Sequence, residues 1–201
     1  MKVTPITLEG AHVRLEPLAT THQDALHAAA ADGELWNSKV TFVPGSQEAF
    51  ARYIDEALTG HAQGRYLPFV IVRKATGQVV GATRYRDIES AHRRLEIGST
   101  WLSASAQRTP VNTESKFLLL RHAFESLGCL RVQFLTDVLN VQSRNAIVRL
   151  GAKEEGALRY HMLMSDGRHR DSACYSITQP EWPSVKAVLE TKLGAYSEEH
   201  A

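Results

Sequence analysis

Cysteine is scarce in this chain: Cys129 and Cys174 are the two present in 201 residues. They make neither a metal-ligand spacing nor a disulfide framework, and both are expected to be small buried apolar residues. Excess charge of either sign is missing as well. Lys and Arg total 23 against 22 Asp and Glu, a formal net charge of +1, which argues against a chain built to grip nucleic acid or an anionic membrane. A nucleic-acid protein would have to hide a basic face within that neutral total. Long apolar runs are absent too. The densest, FLLL at 117–120, is far too short to cross a bilayer, and MKVTPITLEG at the N-terminus lacks the apolar core of a signal peptide. A cytoplasmic protein is expected. Nine histidines show no partner at ligand spacing, and His22 and His27 fall off one helix face, so no metal is expected.

What is there suits a single globular domain spanning 1–201, with 43% apolar and 22% charged residues. Its core is expected over about 12–178, with a C-terminal helix over 181–193 and a frayed tail over 194–201. HVRLEPL (12–18) alternates as a strand, and Thr20 or Thr21 caps a helix through Trp36. Ser46 opens a helix that Gly60 ends. YLPFVIVRKATGQVVGATRYRDI carries two strands about a turn at 75–78, and RRLEIGSTWL (93–102) continues the antiparallel meander. NTESKFLLLRHAFESLG is a helix opened by Asn112 or Thr113 and stopped by Gly128. RVQFLTDV (131–138) is a strand. Residues 153–178 form a hairpin about Ser165-Asp166-Gly167-Arg168. The fold class is therefore α/β (α+β), a mixed, mostly antiparallel sheet with flanking helices.

Two helix starts carry polar chemistry without acids. NVQSRNAIVRLGA (140–152) has Asn140 as a cap, Gly151 as a left-handed stop, and Ala146, Ile147 and Leu150 facing a core. Its first turn holds Gln142, Ser143, Arg144 and Asn145, although acids usually gather at the positive end of a helix dipole. SASAQRTPVNTESK (103–116) offers hydroxyls, an amide and free N–H groups, with Arg108 and Lys116 nearby, a set that suits phosphate. Either start alone reads equally as an ordinary capped helix. Two of them after neighbouring strands favour a ligand with a pyrophosphate and a polar arm.

The order of elements, the loop AQRTPVNTESK and the segment N-x-x-S-R-N-A-x-x-R-L-G-A resemble the GNAT superfamily of acetyl-CoA-dependent N-acetyltransferases, and more narrowly its ribosomal-protein branch. The resemblance runs from about His12 to Ile177 and is most specific over 95–156. It implies two splayed parallel strands with acetyl-CoA lying between them, its pantetheine arm pairing with the strand that ends at Trp101 and Leu102. The family's pyrophosphate loop falls on Gln107, Arg108, Thr109, Pro110, Val111 and Asn112, where Pro110 and Asn112 replace its two small residues. Arg108, Thr109, Asn112 and Thr113 are then expected to substitute with side chains and remaining amides. Asn140 matches the asparagine that holds the arm, and Ser143 a position beside the thioester sulfur.

Acetyl transfer to an amine needs a neutral nucleophile, a donor for the oxyanion and a proton for the thiolate. A lysine amine, at a pKa of about 10.4, benefits from a base more than an α-amine at about 8. Glu96 is the candidate base. It reads equally as a salt-bridged or exposed strand residue, with Arg84, Arg86 and Arg93 as partners. Backbone N–H groups near Trp101 are candidates for the oxyanion. Many relatives place an acidic tyrosine where this chain has Ile147, which leaves Ser143 as the donor toward sulfur or as a plain helix residue. Asp137 reads as a loop cap. Tyr85, Arg86, Trp36 and Tyr160 read as packing and solvated surface or as the lining of an acceptor pocket, and Arg159, His161, Arg168, His169 and Arg170 read as a surface cluster, with an acidic acceptor or a partner protein as the second reading. The expected activity is N-acetyl transfer to a primary amine, on a small molecule or a protein N-terminus. An acyl-CoA-binding module without catalysis, an acyltransferase of longer chains, and a homodimer stay open.

Overall fold

The computed structural model describes residues 1–164 and 166–198. In chain order these form β1 (Leu8–Glu9), β2 (Val13–Pro17), α1 (Gln23–Ala31), α2 (Gln47–Ala62), β3 (Leu67–Arg73), β4 (Gln78–Glu89), β5 (Arg94–Leu102), α3 (Pro110–Arg121), β6 (Arg131–Asp137), α4 (Val141–Arg149), β7 (Lys153–Leu163), β8 (His169–Thr178) and α5 (Trp182–Glu198). The strands make one sheet in the order β1-β2-β3-β4-β5-β6-β8-β7. Every neighbouring pair is antiparallel except β5–β6, which is parallel.

Period-2 alternation divides the core between the two faces of the sheet. On β3, Phe69 and Ile71 join α3, α4 and α5 on one face, while Val70 and Val72 meet α1 and α2 on the other. Both faces are therefore covered by helices, which buries β3 almost completely. On β5, Leu95 and Ile97 face the α3 side. Ala82 of β4 then pairs with Trp101 but Arg84 with Gly98, so Ser99 and Thr100 stand opposite Thr83 alone. That extra residue is a β-bulge with Ser99 in the left-handed region (φ 48°). It inverts the alternation: Trp101 reaches the α2 side and Leu102 the α3 side.

Long-range contacts explain where the local sequence signals and the elements part. Thr20 and Thr21 do not cap α1; His22 Nδ1 accepts from Ala19 N at 3.0 Å instead, and α1 stops before Gly33, which takes a positive φ. Ser46 caps α2 as expected, accepting from Ala49 N at 3.2 Å. Gly60 does not end α2; the Tyr66 ring lies against it, and a β-carbon there would come within 2.1 Å of that ring. The strand β1 has no expectation to match.

Helix α3 opens earlier than Asn112 or Thr113. Thr109 is its cap and Pro110 its first residue, a place where the missing proline N–H is not needed. It passes into a π-helical turn over His122–Ser126 before Gly128. The tail expected to fray from residue 194 is helical through Glu198, and residues 199–201 lie outside the described residues, as does Ser165 of the 165–168 turn. Cys129 is buried as expected, whereas Cys174 is only partly so and its thiol points to Glu155.

Candidate active site

Parallel pairing of β5 with β6 covers only Arg94–Glu96 against Arg131–Gln133. Beyond Glu96 the strands diverge, β5 running on to Leu102 and β6 to Asp137. The unpaired stretch leaves a notch in the sheet, and the loops that leave the two strands lead into α3 and α4. Both polar helix starts thus stand at the mouth of one notch, where ligands of open α/β sheets gather. Gln107 ties them together: its Nε2 donates to Leu102 O at 3.0 Å, and its Oε1 accepts from Gln142 Nε2 at 3.1 Å.

At the start of α3, Thr109 Oγ1 accepts from Val111 N at 3.4 Å and donates to Ala106 O at 2.7 Å. Arg108 is exposed and held at φ 59°, a conformation that costs a non-glycine residue about 1–2 kcal/mol. Asn112 is partly exposed. Thr113 is buried at 3% exposure, so its side chain points into the fold and away from the loop. Lys116 is likewise absent from the loop: it is buried and donates from Nζ to Thr100 Oγ1 at 2.5 Å, beneath the β5 bulge. No acid occupies the first turn of either α3 or α4, so both dipole ends are left uncompensated. Asn140 caps α4 by accepting from Ser143 N at 2.9 Å, and its amide donates to Thr41 Oγ1 at 3.2 Å. Ser143 is partly exposed, whereas Ile147 is buried in the main core.

Glu96 sits where the seam ends. It is 3% exposed, which removes the reading as an exposed strand residue. Burial raises its carboxyl from 4.5 to about 7; Arg86, the largest opposing influence, favours the charged form. Arg86 Nε stands 3.7 Å from Glu96 Oε1, too far for a hydrogen bond; Oε2 makes no hydrogen bond of ordinary geometry, and Gln133, in register across the seam, is a polar neighbour that also favours the charged form. Of the other expected partners, Arg84 pairs with Glu56 at 3.2 Å between the rings of Tyr53 and Tyr66, and Arg93 donates to Gly128 O at 2.8 Å. Gly98 makes room for the carboxylate, since a β-carbon there would lie 2.4 Å from Glu96 Oε1. Beneath the bulge, burial lowers Lys116 from 10.5 to about 7, with the charge of Glu96 opposing.

The remaining candidates separate cleanly. Trp101 packs 6.1 Å from the Phe50 ring, and Leu102 belongs to the main core, so both meet the notch through backbone rather than side chain. Tyr85 is buried and donates to Leu119 O at 2.6 Å, and the Trp36 ring covers Gly45. Tyr160 is exposed and stacks on His169 at 4.5 Å. Asp137 is a cap, with Oδ1 accepting from Leu139 N at 2.9 Å. The basic hairpin is not wholly a surface cluster: Arg168 donates to Asp137 Oδ2 at 2.6 Å, and Arg170 lies within electrostatic reach of Glu96, Asp137 and Arg86. Sequence reasoning missed the room that Gly98 makes for Glu96, for which a glycine inside a strand pattern was the available signal; it placed Arg170 in the basic hairpin but not within reach of Glu96 and Asp137.

Residues 12–153 match the family described as acetyltransferase (GNAT) domain. The chain belongs to the GNAT acetyltransferases. A GCN5-related N-acetyltransferase from Brucella melitensis is 32% identical and superimposes with a TM-score of 0.87 over 96% of this chain and 87% of that one. The uncharacterized N-acetyltransferase YoaA of Bacillus subtilis (strain 168) is 26% identical over 120 residues, 60% of this chain and 67% of its own. Mycobacterium smegmatis RimJ, solved in complex with CoA-disulfide, has the same fold at a TM-score of 0.80, 22% identity, and 94% and 95% coverage. The GNAT resemblance read from the sequence therefore holds, and RimL, a ribosomal L7/L12 α-N-protein acetyltransferase, is also among the fold neighbours at a TM-score of 0.77, 20% identity, and 88% and 96% coverage. The protein is an acetyltransferase enzyme. Among the described residues no helix is long and apolar enough to cross a membrane, and no group of three His, Cys, Asp or Glu side chains is placed to hold a metal.

Proposed function

We propose that this GNAT enzyme transfers an acetyl group from acetyl-CoA to a primary amine by direct attack in a ternary complex. The observation that carries the proposal is the notch itself: a seam of three paired residues, a buried carboxylate with a free oxygen at its end, and two acid-free helix starts at its mouth. These residues fit an elongated anionic thioester. Acetyl-CoA would supply the acetyl group and a thiolate leaving group.

Arg108, Thr109 and Asn112, with the first amides of α3, are the groups available for the phosphates, and Gln107 would have to release Gln142 to admit them. Thr113 contributes its backbone rather than its buried hydroxyl. Asn140, Trp101 and Leu102 line the path of the arm through amide and backbone groups. Glu96, whose carboxyl burial raises to about 7, is suited to take a proton from an ammonium acceptor. The bulge at Ser99–Thr100 interrupts the β4–β5 ladder just before Trp101, and the backbone N–H groups there are the candidates to meet the charge that develops on the carbonyl oxygen. Ser143 offers a hydroxyl toward the departing sulfur, a modest role that a thiolate of pKa about 8.5 tolerates.

Purified protein incubated with acetyl-CoA and a panel of amino acids, polyamines and peptide N-termini should release free CoA. Silence across the panel, together with no acetyl-CoA binding by calorimetry, would overturn the proposal.

A further inference from the structure

Buried polar side-chain atoms normally have partners. Six in the described residues have none, and three of those six, Arg86 Nε, Glu96 Oε2 and Arg170 Nε, belong to side chains within electrostatic reach of one another. They come from three strands. Arg86 on β4 stands across from Glu96 on β5 in register, and Arg170 lies on β8 beyond the last residue that β8 pairs with β6. Each arginine is only partly exposed.

The charges in this place do not cancel. Arg168 is bound to Asp137 Oδ2 at 2.6 Å and to Lys39 O at 3.1 Å, so Asp137 is already taken. Arg86 touches Ser99 Oγ only at 3.5 Å and misses Glu96 Oε1 at 3.7 Å. Asp87, the other acid in range of Glu96, is exposed and screened by water. Three guanidinium groups therefore face two buried carboxyls, and the Lys116 ammonium on α3 is also within electrostatic reach of Glu96. Burial is the main cost to the cationic form of Arg170; Asp137 and Glu96 favour it, and Arg86 and Arg168 work against it. Added negative charge would reduce that excess of cations, and a carboxylate fits the planar forks of two arginines.

We propose that the acceptor amine carries a carboxylate close to the reacting nitrogen, held by Arg86 and Arg170 while Glu96 faces the amine. This rests on the reading of the notch as an amine acetyltransferase site and names its substrate class. The carboxylate belongs either to the α-carboxyl of a free amino acid or to an acidic side chain next to a peptide's N-terminal residue.

Two matched pairs of acceptors test it: a free amino acid against its own carboxamide, and a short peptide amide with Asp in second place against the same peptide with Asn. In at least one pair the carboxylate member should be preferred by about tenfold or more in kcat/KM, and the pair that responds names the source. The preference should shrink toward unity in Arg170→Gln, and separately in Arg86→Gln, each ratio being read within one variant. Raising ionic strength on the unaltered enzyme should narrow it as well. Turnover of both members at equal rates in both pairs overturns the carboxylate proposal and leaves amine acetylation standing. A preference that survives both substitutions also overturns it. Failure to turn over any amine, with no acetyl-CoA binding, removes both.

Discussion

The carboxylate of Glu96 lies over Gly98, and a β-carbon at residue 98 would stand 2.4 Å from Glu96 Oε1 and 2.9 Å from Arg86 Cδ. Gly98 keeps φ out of the left-handed region, so its value is space rather than backbone freedom. Gly98→Ala should leave a folded protein whose Glu96 is pushed off its position. Acetyl transfer is expected to fall about 100-fold while acetyl-CoA binding by calorimetry changes little. An unaltered rate would show that the carboxylate position does not matter.

Glu96→Gln probes the base directly. With Glu96 at about 7, the rate should rise with pH and level off above that value, because only the ionised carboxylate accepts a proton. The glutamine variant should lose about 100-fold or more near neutrality and lose the rising limb. The loss should be larger for lysine-like amines than for α-amines of lower pKa. A pH profile that keeps its shape would place the base elsewhere.

Glu96 and Lys116 give folding stability two pH limbs of opposite sign. Glu96 is raised from 4.5 to about 7, so the folded chain holds this proton more tightly and stability drops as pH climbs between those values. Lys116 is lowered from 10.5 to about 7, so the unfolded chain holds that proton more tightly and stability recovers as pH climbs from 7 toward 10.5. Urea titrations across this range should show a dip near neutrality. Glu96→Gln should remove the low-pH limb and Lys116→Met the high-pH limb.

Glu114 fastens the N-terminal strands to α3. Its carboxylate accepts from Ala11 N, His12 N and Val13 N at 2.8, 2.6 and 2.7 Å. Glu114→Ala strands three amides and should cost about 3 kcal/mol by denaturant titration. Hydrogen exchange should quicken first at residues 11–13. Protection there equal to the parent would remove the assigned role.

Local chemistry made part of this legible in advance. Asn140 before an amphipathic stretch and Gly151 after it mark both ends of α4, and Ser46 marks the start of α2, because caps are decided by residues within one turn. The alternation of Val13 and Leu15 and the meander through Leu102 were visible for the same reason. What escaped depends on distant partners. Nothing within GSTWL says that Thr83 will face two residues instead of one, so the bulge and the inverted placement of Trp101 were hidden. Lys116 reads as a cation beside the polar loop at 103–116 until Thr100 is placed above it. Arg168 and Arg170 read as hairpin surface until β8 is laid beside β6 and Asp137 is found waiting for one of them.

The brevity of the β5–β6 pairing has a mechanical consequence. Only three residue pairs join these strands, against seven between β6 and β8. Shear arising in the leaf formed by β6, β8 and β7 is therefore passed poorly to the leaf of β1 to β5. Lengthening the β7–β8 turn or altering the exposed outer edge of β7 should disturb the leaf that carries Arg170 and spare the register of β1 to β5, which carries Arg86 and Glu96.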